Sequence, residues 1–115
     1  WRTAETLESG AMNGALFETY AVTEIIKSYW HQGRQAPVYF YRDKEKREID
    51  VLIEENGTLY PVEIKKTASP GSKDIRNFAL LQKQKAKIGH GAVICLAQRR
   101  LPLTREAHSV PIGEL

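Results

Sequence analysis

The chain has 115 residues, 42% of them apolar, a formal net charge of +3 and one cysteine. That length provides one modest core, so this is one domain at most. The single cysteine excludes an internal disulfide, no signal peptide or membrane-length apolar run is read within these residues, and a reducing, cytoplasmic compartment is expected.

Residues 1–12 open on Trp1 and have no core of their own. They read as an N-terminal remnant or linker of a longer polypeptide, followed by one domain over 13–115. Asn13-Gly14 precedes a periodic segment, Ala15 to Trp30, that predicts an amphipathic helix. On a wheel of ~100° per residue, Ala15, Ala21, Val22, Ile25, Ile26 and Tyr29 share one arc. Glu18 falls in the middle of that arc, where a carboxylate needs a partner.

Gly33 and Pro37 end this unit. Val38-Tyr39-Phe40-Tyr41 reads as a short strand, with Asp43-Lys44-Glu45-Lys46 as its turn into the next. Strands at 38–42, 48–54 and 59–66 are expected to form an antiparallel meander. Asn56-Gly57, between two β-type runs, is a strong signal for a two-residue type I′ turn. That turn sets Glu55 against Thr58. Counting inward, Asp50 then faces Glu63, with Cβ atoms roughly 4.5–5.5 Å apart. Lys65 projects from the same face. The opposite face carries Ile49, Val51 and Ile53 against Tyr60, Val62 and Ile64, and reads as core. Opposed like charges are destabilising unless compensated. Two carboxylates and an ammonium on one patch suit a hard divalent cation and an oxyanion. The plainer alternative is a strand face tied to Lys65 and Arg47.

Ala68-Ser69-Pro70-Gly71 is a loop. Ser72 suits the cap of a second helix, from about Lys73 to Lys85, with Ile75, Phe78, Ala79 and Gln82 on one stripe. Ala92 to Ala97 is a continuous apolar run that suits a strand buried on both faces and parallel to a neighbour. Cys95 within it reads as a buried free thiol. Pro102-Leu103 and Val110-Pro111-Ile112 read as a short terminal strand at an edge. The fold class is α/β, a mixed sheet with an antiparallel meander flanked by helices. His31, His90 and His108 have no metal-ligand spacing. Lys83, Lys85, Lys87, Arg99 and Arg100 are candidates for a phosphate-tracking rim. A pI of about 9.1 permits nucleic-acid binding without requiring it.

Glu18, then Asp50, then Glu63-Ile64-Lys65 resembles the P-D-(D/E)-x-K nuclease superfamily, which implies a restriction-endonuclease-like fold. More closely, Gly14-Ala15-Leu16-Phe17-Glu18, Tyr41-Arg42-Asp43, Glu48 to Ile53 and Pro61 to Lys65 resemble a domain of unknown function. That domain lies at the C-terminus of many prokaryotic AAA-type P-loop ATPases. The resemblance runs from about Glu8 to the end. Ile49 stands where the superfamily pattern has Pro. No G-x-x-x-x-G-K-[ST] loop occurs, so ATP is implied only for an N-terminal domain of the parent protein.

The resemblance implies that Asp50 and Glu63, with the Ile64 carbonyl, bind Mg²⁺ or Mn²⁺. It gives Glu18 a place as a third ligand or as the residue that positions a water. Lys65 then orients the nucleophilic water or stabilises transition-state charge. Gln82 is a candidate phosphate contact. The expected function is a Mg-dependent DNA nuclease or DNA-binding module that works with its own AAA-type ATPase domain. The alternative is a catalytically inactive interaction or regulatory module of that ATPase.

Overall fold

The computed structural model describes residues 14–83 and 87–115. The first element is helix α1 (Gly14–His31), followed by strands β1 (Val38–Arg42), β2 (Glu48–Glu55) and β3 (Thr58–Ile64). A long 3-10 helix (Ser72–Lys83) leads to β4 (Lys87–Ile88), β5 (Gly91–Cys95), β6 (Pro102–Thr104) and β7 (Ala107–Pro111), and a short 3-10 turn (Ile112–Glu114) ends the chain. The seven strands form one mixed sheet in the order β1-β2-β3-β5-β7-β6, with β4 pairing parallel beside the start of β3. The β1-β2-β3 meander is antiparallel. β5 runs parallel to both β3 and β7, and β6 returns antiparallel to β7.

The hairpin forms as its turn chemistry dictates. Asn56 and Gly57 both have positive φ, 52° and 82°, the backbone that a type I′ turn requires. Glu55 pairs with Thr58 and the ladder continues inward to Val51 and Val62. The exposed end of the hairpin is tied to the end of α1 by Arg34, whose Nη2 donates to both Glu55 carboxylate oxygens at 3.0 and 2.8 Å.

Strict alternation fails in β2. β1 pairs with it first as Tyr39↔Leu52 and then as Tyr41↔Ile49. Two steps along β1 match three along β2, so β2 carries an extra residue there, a β-bulge. Ile49 therefore joins Leu52, Leu81 and Phe78 on the side of the long 3-10 helix. Val51 stays with Phe17, Ala21, Ile25, Val62 and Ile64 on the side of α1. This corrects the expectation that Ile49 shares a face with Val51 and Ile53.

The 3-10 helix covers the far face of the sheet, so the domain has three layers. Its winding departs from the α-helix expected after Ser72. Ser72 is not the cap. Asp74 reaches back instead, its Oδ2 accepting from the Gly71 N–H at 2.9 Å. Phe78 packs closely over β5, and an added Cβ at Gly91 would lie 2.6 Å from its ring. Gly91→Ala is expected to lower stability by ~1–3 kcal/mol, read as a fall in the urea midpoint. An unchanged midpoint would mean that this packing contributes nothing.

β5 is buried as its apolar run predicted, and the Cys95 thiol lies within it. The C-terminal segment is two strands rather than one. β6 is the edge and carries Pro102, but β7 is interior and pairs along its whole length with β5. Among the described residues, no helix is long and apolar enough to cross a membrane.

Candidate functional site

The ladder between β2 and β3 stops at Val51 and Val62. One step further, two side chains replace its backbone bonds. The Asp50 N–H donates to Glu63 Oε1 at 3.1 Å. The Ile64 N–H donates to Asp50 Oδ2 at 2.8 Å. Each carboxylate thus holds the other strand's backbone. The bulge makes this possible by opening the strands where Asp50 sits. Glu63 is 5% exposed, one of two buried polar residues among those described.

Burying two carboxylates together has an electrostatic cost. The pKa of Glu63 is pushed up to about 7, first by burial and then by the Asp50 charge; the Asp50 N–H and Lys65 pull the other way. A carboxyl poised near neutrality in a cleft marks a functional-site candidate.

The Asp50 acceptor also matters to the fold. Asp50→Ala leaves the Ile64 N–H without this partner, and an unsatisfied buried donor costs about 1–3 kcal/mol. Asp50→Asn retains an acceptor oxygen. Chemical denaturation is expected to place the Ala variant well below the Asn variant. Equal stabilities would mean that the bond to Ile64 carries no weight.

Glu63 and Lys65 open onto a cleft of about 560 Å³ beneath the long 3-10 helix, which adds Lys73, Asp74, Arg76 and Asn77 to its wall. Asn77 clamps the helix to β2, its Nδ2 donating to the Glu48 carbonyl at 2.8 Å. Asp50 does not line this cleft. Simple alternation would have placed it there with Glu63; the bulge turns it elsewhere.

Glu18 is exposed, which corrects the reading of the helix wheel. The buried line of α1 is Phe17, Ala21 and Ile25, and Glu18 flanks it. Its surroundings are nevertheless those of the site. Its pKa is raised by partial burial and then by the charges of Asp50 and Glu48, while Lys65 opposes the shift. Glu18 therefore stands at the rim of the carboxylate pair. Gln82 does not join the group. It lines a separate cavity with Phe78, Ile88 and His90.

Lys73, Arg76 and Asn77 were missed from the sequence. Their signal is the Lys73-Asp74-Ile75-Arg76 spacing, which puts two cations on one helical face. Of the basic residues read as a rim, the Lys83 side chain and Lys85 lie outside the described residues. Arg100 pairs with Glu114 at 2.6 Å. His90 and His108 stack with ring centroids 4.8 Å apart, a contact their sequence spacing did not reveal.

The fold and site define an α/β domain with an interlocked carboxylate pair beside a basic cleft. The chain belongs to the family described as Domain of unknown function (DUF4143), which matches residues 13–115. It is also 29% identical, over 79 residues, to an uncharacterized protein of Mycobacterium bovis and to one of Mycobacterium tuberculosis. That match covers 69% of this chain and 17% of each relative, so the chain spans about a sixth of their length. No solved structure matches it significantly.

Proposed function

We propose that the domain is a Mg²⁺- or Mn²⁺-dependent DNA phosphodiesterase with a restriction-endonuclease-like fold, carried at the C-terminus of a prokaryotic, cytoplasmic AAA-type ATPase. The observation that carries this is the Asp50/Glu63 pair, half-buried and buried respectively, held by backbone N–H groups beside Lys65. The order of elements supports the fold: a helix, an antiparallel meander bearing the carboxylates, then a crossover to a parallel strand. The small share of each relative's length that the chain covers supports a domain within a longer protein.

The donor set fits a hard cation. Among the described residues there is no group of three or more His, Cys, Asp or Glu side chains suited to a metal. Mg²⁺ asks for less: it is usually bound by one or two carboxylates and otherwise by water and substrate phosphate. Asp50 and Glu63 would supply the two, with one oxygen of each already fixed by a backbone N–H, although Glu63 and not Asp50 lines the cleft. When bound, the cation supplies charge neutralisation and Lewis acidity at the scissile phosphate. Lys65 places a positive charge where the transition state gains negative charge. Glu18, at the rim, orients water toward the pair.

The test is cleavage of labelled DNA with Mg²⁺ or Mn²⁺ and with EDTA. Cleavage that needs the cation and stops with EDTA is expected. No cleavage under any condition would overturn the catalytic reading and leave the alternative, a silent module docked on its own ATPase. One observation favours that alternative: the edge strand β1 exposes Tyr39 (53%) and Phe40 (69%), an apolar surface a partner would cover.

A further inference from the structure

We propose that the cleft beside Glu63 is a duplex-binding site, in which Lys73 and Arg76 of the long 3-10 helix hold nucleic acid by its phosphodiester backbone. This rests on the nuclease reading only for the fate of the bound strand; binding itself requires neither cation nor cleavage.

The charge balance of the cleft is the first support. Of its four cations, Arg47 is engaged with Asp43 at 2.7 Å and Glu45 at 3.2 Å. Lys65, Lys73 and Arg76 have no ion pair among the described residues, and all three are exposed. The cleft's two acidic residues are outnumbered by its four cations, and neither is ion-paired with one of them among the described residues. Glu63 is buried and accepts from the Asp50 N–H, and Asp74 accepts from the Gly71 N–H. An anion entering this space meets three donors and disrupts no ion pair made by them.

Helix geometry is the second support. Side chains three apart on a 3-10 helix eclipse, with about 2.0 Å of rise per residue. Lys73 and Arg76 therefore stand one above the other, roughly 6 Å apart along the axis. The Asn77 clamp to Glu48 holds them at the start of β2 before any ligand arrives. A guanidinium suits bidentate contact to phosphate and an ammonium suits a point contact.

The third support selects the duplex. Among the described residues, no aromatic side chain lines the cleft. Single-strand sites stack bases on aromatic side chains, and nothing here offers that platform. Backbone contacts of this kind position a duplex and carry no sequence information.

The experiment is fluorescence anisotropy with a short labelled DNA duplex, and its single strand, in EDTA. Wild type is expected to prefer the duplex. The double variant Lys73→Ala/Arg76→Ala is expected to bind it at least ~10-fold more weakly. Its slope of log K against log salt should be shallower by ~1–2, at about 0.9 for each phosphate no longer neutralised. Arg76→Lys is expected to keep the slope, and Arg105→Ala, exposed and outside the cleft, to bind nearly as wild type does. A double variant that melts like wild type and still binds the duplex as tightly would overturn the proposal. So would tighter binding of the single strand, or an equal weakening in Arg105→Ala, which would indicate net charge alone. Retained binding without cation-dependent cleavage would overturn the nuclease reading and leave this one standing.

Discussion

Asp50→Asn, Glu63→Gln and Lys65→Ala are each expected to lower cation-dependent DNA cleavage by ~10²-fold or more, the usual scale for losing a preorganised electrostatic group. The three act differently. Asn and Gln remove the negative charge that holds a cation, yet keep an oxygen to accept from the Ile64 and Asp50 N–H groups. Lys65→Ala removes a cation from the cleft. Lys65 is exposed and has no ion pair among the described residues, so its loss is expected to leave the melting temperature essentially unchanged. Single-turnover cleavage alongside thermal melting checks both halves. A structural network predicts the reverse: no cleavage by wild type, and a marked loss of stability in Lys65→Ala because partly buried carboxylates lose a compensating charge.

Most of this arrangement was legible where a local rule decides the backbone. Asn56-Gly57 fixes a turn and therefore a register, so the approach of Asp50 to Glu63 followed from counting. The apolar run to Ala97 and the crossover before it gave the parallel β5. The bulge was not legible. It is set by how β1 pairs with β2, which no local signal in either strand reveals, and it moved Ile49 to the opposite face. It also turned Asp50 away from the cleft. The wheel for α1 failed for a related reason. Periodicity shows that a helix has an apolar side, but Phe17 is far larger than Ala15, and it centres the buried line one residue away from Glu18. The 3-10 winding after Ser72 was also hidden. Helix propensity does not distinguish it from an α-helix, and Phe78 and Leu81 on this segment pack onto the sheet.

Glu63 is expected to make the cation-free domain less stable as pH rises from 4.5 to 7. Its folded pKa of about 7 lies above the ordinary 4.5, so the folded state binds the proton more tightly than the unfolded state. The sign follows directly: the favourable contribution is fully present below pH 4.5 and is lost by pH 7. The shift corresponds to about 3 kcal/mol, undiscounted because Glu63 is 5% exposed. Other groups titrate nearby. Glu18, also raised, adds a loss of the same sign. His108, held low by burial and then by His90, gains stability as pH rises. The difference between wild type and Glu63→Gln removes these shared contributions. Denaturation at pH 5 and pH 8 is expected to show wild type losing about 2–3 kcal/mol relative to the variant. A divalent cation should restore that loss above pH 7, because a carboxylate binds metal only when deprotonated. At 100 times Kd the gain is about 2.7 kcal/mol, since the ligand binds only the folded state. Glu63→Gln should show little of it. Parallel pH curves for the two proteins would mean that Glu63 ionises as it does in water, and a melting temperature indifferent to Mg²⁺ and Mn²⁺ would remove the cation from the site.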